Sequence, residues 1–398
     1  MKNIGVFFGG KSPEHDVSII TGQLIISELK KMFKYKVVPV YISKDGEWHI
    51  SDELGVLKFF SDKNKDEALK KFSKYYLDLE QSNGKMVFKK KGLGGGEITV
   101  DLAFPAFHGE NGEDGTIQGL FEILGVPYAG CDVATSAMAM DKILTKLFYS
   151  AHGILTANFI FFDNNDWEKN KDGILKNTEE KLKYPMFVKP PKLGSSIGIT
   201  KVKNKKDLEF AIEVALHYGE RVLVEEGVEN LKDITCAVLG GDDPQASLAQ
   251  EFKFGAEFLD YEEKYLKDGG SQLGDPKNGV IIPNGAIIPA HINDETTKLV
   301  QGMAVKIFKL FRCWGISRID FLYDERADKL YANEINTLPG VLYNYLWVAS
   351  GIELKEVIEN MIKIAQDRFK NNERIKRTFD SELLKQANSS KLQIKKNL

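Results

Sequence analysis

The stretch from Ile316 to Gly340, ISRIDFLYDERADKLYANEINTLPG, constrains the chain more than any other. RIDFLY and LYANEIN are rich in aromatic and branched residues and flank the polar DERADK, the pattern of two strands joined by a turn. Side chains alternate along a strand, so Asp320 faces away from Ile319 and Phe321, while Glu334 and Asn336 share a face away from Ile335. A hairpin folded about Ala327 brings Asp320 opposite Glu334. Two carboxylates about 4 Å apart repel by roughly 4 kcal/mol at an effective dielectric of about 20. Such a pair calls for a cation, and oxygen ligands beside an amide suit Mg²⁺ or Mn²⁺ rather than Zn²⁺. A solvated hairpin face is the other reading, and the hairpin alone leaves both open.

At 398 residues the chain exceeds one hydrophobic core, so two or three domains are expected. A net charge of −3 and a pI near 6.2 argue against a nucleic-acid or anionic-membrane partner. No apolar run approaches bilayer-spanning length. IGVFF (4–8) is too short for a signal-peptide core and ends in Gly-Gly, which argues against secretion. Cys131, Cys236 and Cys313 are few and far apart, which suggests buried thiols in a reducing cytoplasm.

Residues 4–8 read as a strand stopping at Gly9-Gly10. Ser12-Pro13 then reads as a helix N-cap and first turn, with Val17, Ile20, Leu24 and Leu29 at helical spacing. A strand, a glycine turn and a helix N-terminus make a common cradle for phosphate or carboxylate. Glu14 there has a bland alternative as a helix-dipole partner. VVPVYI (37–42) is the next strand, and the lysine-rich segment 61–96 is expected to be a surface elaboration whose glycines form loop. DLAFPAF (101–107) is a buried strand running into HGENGEDGTIQG, either a functional glycine loop or a turn and cap around Asp114 and Thr116.

A second unit opens near Cys131. AMAMDKILTKLFYSAHG reads as one helix carrying Lys142. KYPMFVKPPKLGSSIGI reads as a strand ending at Lys189, a loop, and a return strand. Backbone N–H groups of such a loop can fold over phosphates, although no Gly-Lys-Ser/Thr makes it a Walker motif. A helix over 205–219 and a strand over 221–228 complete a small α+β unit. The third unit holds ITCAVLG (234–240), the polar EFLDYEEKYLKDGG (257–270), a helix near 294–311, the hairpin, and a closing helix over 353–365. Leu354, Val357, Met361 and Ile364 form one stripe of that helix. From about Asn371 the chain is a polar, lysine-rich tail.

The order of these pieces resembles the ATP-grasp superfamily, and within it the D-alanine–D-alanine ligases. The resembling motifs are GGKSPEHDVS (9–18), FHGENGEDGTIQGLFEILGVPYAG (107–130), AMAMDK (137–142), FVKPPKLGSSIGI (187–199), DYEEKY (260–265) and SRIDFLY…NEINTLPG (317–340). The resemblance implies an α/β ATP-grasp fold. It divides the chain into an N-terminal Rossmann-like parallel-sheet domain (1–130), a small central α+β subdomain (131–225), a C-terminal α+β catalytic domain (226–370) and the tail (371–398). It implies ATP-dependent joining of two D-alanines through an acyl phosphate in a cytoplasmic homodimer, with no nucleic-acid or membrane partner. The cofactors would be ATP and two ions of Mg²⁺ or Mn²⁺, held by Asp320, Glu334 and Asn336. Lys142, Lys189 and Lys264 would pair with phosphates, and Ser196 would offer its N–H. Glu225, Glu226 and Val228 would read adenine, Phe258 would stack on it, and Asp233 would take the ribose. Glu14 would receive the first D-alanine's ammonium, in a network with Ser195 and Tyr265. His108 would approach that substrate, and Arg318 with the Gly340 N–H would stabilise the oxyanion. The bland readings are surface lysines, a structural histidine, a core Phe258 and a structural Arg318 ion pair. Three positions depart from the pattern: Leu193 replaces a polar or acidic residue, Gly227 an aromatic, and Tyr345 a serine that contacts the second substrate's carboxylate. Tyr265 favours D-alanine over D-lactate, and the polar, glycine-bearing segment 260–276 is expected to act as a lid that excludes water from the acyl phosphate.

Overall fold

The computed structural model describes residues 1–92, 95–252, 282–283, 285–376 and 378–381. The first sheet runs in the order β3-β2-β1-β7. Its strands are β1 (Lys2–Gly9), β2 (Tyr35–Ile42), β3 (Trp48–Ile50) and β7 (Leu102–Pro105), with β1 parallel to both β2 and β7 and β3 antiparallel at the edge. Parallel strands need covered faces, which is why β1, β2 and β7 read as unbroken apolar runs. Helix α1 (His15–Lys31) begins two residues later than Ser12-Pro13 suggests, because the Ser12 hydroxyl accepts from Glu14 N (3.1 Å) and makes a turn of its own. Its buried face is centred on Ile19, Ile25, Ile26 and Leu29, while Val17, Ile20 and Leu24 are half-buried. Gly9 N donates to Ser18 Oγ, which in turn donates to Ala106 O, both at 2.8 Å. That bridge ties the glycine turn after β1 to the loop after β7.

Segment 61–96 is more than surface. It contributes two strands, β4 (Tyr75–Leu77) and β5 (Met86–Lys90), to a three-stranded sheet completed by β6 (Glu97–Val100), and Met86, Val87 and Phe88 are buried. The short apolar run Met86–Phe88, overshadowed by the lysines that follow it, was the available signal.

The stretch expected as one helix is two: α2 (Val133–Met140) and α3 (Lys142–Ala151). Asp141 is extended between them and its carboxylate accepts from Ile143 N (3.0 Å) and Leu144 N (3.2 Å) while pairing with Arg221. A buried cap and ion pair outweigh continued helix here. The second sheet, β10-β9-β11-β8, is antiparallel and built from β8 (Phe159–Asp163), β9 (Met186–Lys189), β10 (Thr200–Val202) and β11 (Arg221–Glu226). The third sheet, β14-β13-β12-β15-β16, is also antiparallel, with β12 (Leu231–Gly240), β13 (Gln245–Phe252), β14 (Ala286–Ile287), β15 (Gly315–Asp324) and β16 (Lys329–Asn336).

One core joins the first and third sheets. Ile4, Val6, Phe8 and Phe104 pack with Ala237, Leu239 and Ile316, and the fully buried Trp347 lies in the same cluster. The closing helix, Leu354–Glu373, presents Val357, Ile358, Met361, Ile362 and Ala365 to that core, so the buried stripe is rotated from Leu354 and Ile364. It continues past Asn371, three residues into the segment expected as tail. Arg368 donates to Gly130 O (2.8 Å) and Tyr128 O (3.2 Å), tying this helix back to the first unit.

Candidate active site

The hairpin forms as its alternation predicts. Asp320 pairs with Glu334 and Arg318 with Asn336, and beyond Asp320 the register shifts so that Phe321 faces Ala332. Asn333 is the extra residue of that bulge. Thr235, opposite Asp320 on β12, donates its hydroxyl to Asp320 Oδ1 at 2.7 Å and fixes the carboxylate's direction. Arg318 Nη2 lies 2.5 Å from Asp320 Oδ2 and 3.5 Å from Glu334 Oε1, and Lys142 Nζ lies 3.4 Å from Glu334 Oε2. Arg318 therefore does make the structural ion pair that its spacing allowed. Burial pushes the Asp320 carboxyl above the usual carboxylate range, and the Arg318 guanidinium opposes it. Among the described residues no group of three His, Cys, Asp or Glu forms a metal cluster. The candidate set is two carboxylates and the Asn336 amide. Its all-oxygen donors and the cations gathered on the two carboxylates fit a hard divalent ion.

Phosphate-directed lysines come from two elements. The break at Asp141 puts Lys142 in the first turn of α3, where its Nζ donates to Leu193 O at 2.8 Å in the loop after β9. The backbone of Leu193, not its side chain, thus serves the site. Lys189, the last residue of β9, pairs with Glu225 on β11. A third lysine, Lys146, escaped sequence reasoning. It lies one turn after Lys142, is 1 % exposed, and sits 2.6 Å from Glu225 Oε1 and 2.8 Å from Thr156 Oγ1. Burial first, and then the Lys189 ammonium, push its ammonium below the ordinary lysine range. Its i,i+4 spacing from Lys142 on an apolar helix was the available signal.

Two glycine loops close on Glu14. Ser195 donates its hydroxyl to Glu14 Oε1, and both Ser195 and Ser196 are left-handed (φ 51° and 60°). A Cβ on Gly194 would stand 2.8 Å from Glu14 Oε2, and one on Gly109 would stand 2.4 Å from Ser12 Oγ, so neither position takes a side chain as built. Glu113 is a second omission of the sequence reading. It is buried, accepts from Gly109 N at 2.7 Å, and is pushed up to about 8 by burial and then by the Glu14 charge. Asp114 makes the expected turn, accepting from Asn111 N (2.9 Å) and Thr116 N (3.0 Å).

His108 is buried and pushed down to about 4 by burial and then by Arg318, so its ring is neutral near pH 7. His108 Nε2 and the Thr21 hydroxyl are hydrogen-bonded at 2.8 Å. Thr21 Oγ1 also accepts from Val341 N at 3.0 Å, which locks the turn after Gly340. In that turn Val341, Leu342 and Tyr343 are all left-handed (φ 47°, 53° and 49°). Each costs on the order of 1 kcal/mol for a residue with a Cβ. Tyr345 is 3 % exposed, with its ring centre 5.2 Å from that of Tyr343. Tyr343, rather than Tyr345, meets Arg318: Nη1 donates to its hydroxyl at 3.2 Å, and the guanidinium lies 5.3 Å from its ring centre.

At the end of β11, Glu225 is buried while Glu226 and Val228 are half-buried. Glu226 N donates to Asn158 O (2.9 Å), and Asn158 Nδ2 to the Glu226 carboxylate (3.2 Å). A Cβ on Gly227 would meet Pro185 O at 2.8 Å and Phe187 Cε2 at 3.3 Å, so the Phe187 ring fills the space beside it. Asp233 is half-buried on β12, one strand residue from Ile234 in the core. Phe258, Lys264 and Tyr265 lie outside the described residues, as does segment 260–276, expected to act as a lid.

A parallel-sheet unit, an antiparallel lysine-bearing unit and a third sheet carrying a carboxylate hairpin define the ATP-grasp class. Comparison with known proteins agrees. Family models for the N-terminus and C-terminus of D-ala D-ala ligase match residues 3–131 and 148–363. The D-alanine–D-alanine ligase of Thermosipho melanesiensis is 40 % identical, over 97 % of this chain and 99 % of that protein. That of Acetivibrio thermocellus is 37 % identical over 93 % and 97 %. Among solved structures, the D-alanine-D-alanine ligase from Coxiella burnetii superposes with a TM-score of 0.77 at 28 % identity, covering 94 % of this chain and 96 % of that one. The VanG D-Ala:D-Ser ligase from Enterococcus faecalis gives 0.75 at 32 % identity, covering 92 % and 99 %. The chain belongs to the D-alanine–D-alanine ligase family.

Proposed function

We propose that this protein joins two D-alanines to D-alanyl-D-alanine, converting ATP to ADP and phosphate, as a step of peptidoglycan precursor synthesis. The observation that carries the proposal is the Asp320–Glu334 pair, held in register and bracketed by Arg318 and Lys142. Phosphoryl transfer demands positioning and charge neutralisation more than covalent chemistry, and that is what this cluster offers. Asp320, Glu334 and Asn336 would hold the two ions of Mg²⁺ or Mn²⁺, which would supply neutralisation of the phosphate charge of ATP. Lys142 and Lys189 take phosphate oxygens, the Ser196 N–H assists them, and Glu225, Glu226, Val228 and Asp233 hold the nucleoside.

Glu14, kept in place by Ser195, receives the ammonium of the first D-alanine beside neutral His108. The D-alanine carboxylate attacks the γ-phosphorus and ADP leaves, giving D-alanyl phosphate. The second D-alanine's amine then attacks the acyl carbon. Arg318 and the Gly340 N–H hold the developing oxyanion, a role worth about 3 kcal/mol per donor in comparable sites. Phosphate departs and the amine's proton is lost. We further assign residues 1–130, 131–225 and 226–370 as the three working units, in a cytoplasmic homodimer.

Phosphate release by the purified protein with Mg-ATP and D-alanine, with the product identified by mass, tests the reading. D-alanyl-D-alanine supports it. Phosphate without that dipeptide moves the second substrate to another acceptor such as D-serine, a reading favoured by the likeness to the VanG D-Ala:D-Ser ligase, 32 % identical over 92 % of this chain. No phosphate with any amino acid overturns the assignment as a ligase.

A further inference from the structure

Glu225 carries two ammonium groups on one buried carboxylate. Lys189 pairs with Oε2, and Lys146 lies 2.6 Å from Oε1. The two lysines are unequal. The Lys146 side chain is 2 % exposed, held from behind by Thr156 Oγ1 at 2.8 Å, with its Nζ 5.9 Å from the centre of the Phe159 ring. Lys189 is more exposed, at 10 %, and ends β9 where the Gly-Ser loop begins. Lys146 stays where it is, while Lys189 has somewhere to go. Although close to Lys146, Glu225 Oε1 has no well-directed hydrogen bond among the described residues, so it retains acceptor capacity.

We propose that Lys146 is the fixed counter-ion of Glu225, a positioning residue that allows Lys189 to leave Glu225 for the phosphates of ATP. The inference rests on the nucleotide site described above. A buried carboxylate stripped of its only cation is strongly disfavoured. With Lys146 in place, the carboxylate stays paired after Lys189 departs, and its vacated oxygen turns to a ligand N–H such as the exocyclic amine of adenine. Without Lys146, Glu225 retains Lys189, and the phosphates lose a cation.

Calorimetric binding of Mg-bound β,γ-imido-ATP and of AMP to the full chain tests this, with folding checked by circular dichroism. Lys146→Met is expected to weaken the ATP analogue by about 30-fold, the low end for stranding one partner of a buried charge pair. AMP, lacking the β- and γ-phosphates, changes by no more than about threefold, a size that needs only a contact of ~0.6 kcal/mol. Lys146→Arg, which keeps the charge, retains affinity for both. Adding Glu225→Gln to Lys146→Met releases Lys189 and restores most of the loss. If Lys146→Met does not fold, this double variant carries the test, since it needs no counter-ion and is expected to fold and bind the analogue. Unchanged analogue affinity in Lys146→Met, equal losses on AMP and the analogue, or no rescue by Glu225→Gln would each overturn the proposal. Failure of the wild-type chain to bind the analogue would overturn the nucleotide site itself.

Discussion

Glu113 carries a proton that its unfolded counterpart has already lost, and this has a measurable cost. Its folded pKa is about 8 against an ordinary 4.5, raised by burial and by the neighbouring Glu14 charge. At pH values between these two numbers the folded chain binds more protons than the unfolded chain, so stability falls as pH rises across that window. The difference, 8 − 4.5 = 3.5 units, at about 1.36 kcal/mol per unit, sets a ceiling of about 5 kcal/mol lost by pH 8. Glu113→Gln keeps an oxygen for Gly109 N and removes the titration. Urea melts of both proteins at pH 4.5, 6 and 8 isolate the effect, because other titrating groups cancel in the difference. The variant should gain on the wild type steadily from pH 4.5 to pH 8. A difference that stays constant with pH would refute the reasoning.

Asp320→Asn and Glu334→Gln should each lower kcat by about 10³-fold or more, as loss of a charge-stabilising contact in the transition state does; normal dipeptide formation by either would sink the metal assignment. Ser195→Ala removes the hydroxyl that donates to Glu14, and should raise KM for the first D-alanine by roughly 10-fold, the scale of a charged hydrogen bond. An unchanged KM would separate Ser195 from that subsite. Gly9→Ala forces a Cβ to 2.2 Å from Ile42 O at φ +91°, which should cost at least ~2 kcal/mol in urea unfolding; a neutral result would mean the turn after β1 relaxes freely.

Short-range order was legible in the residues alone. The alternation of RIDFLY and LYANEIN and the polar turn between them specify which side chains share a face and which pair meets across the hairpin, because strand period and turn centre are local properties. The glycine turn ending β1, the loop after Lys189 and the turn at Asp114 follow equally from local backbone preference. Helix faces were legible only approximately: apolar spacing located α1 and the closing helix but left their buried stripes rotated, since the stripe's centre depends on which sheet the helix meets.

Tertiary structure decided everything that rests on distant partners. Arg221 holds Asp141, 80 residues away, and so breaks a helix that propensity would continue. Ser195 reaches Glu14 across 181 positions. Tyr345 is drawn into a core built by the first and third sheets, leaving Tyr343 on Arg318. The protonated state of Glu113 and the two lysines on Glu225 depend on burial and on charges brought close by folding. Residue type and spacing determine which groups are available and which way each points along its own element. How near two such groups come, and how much water lies between them, is set only when the sheets pack.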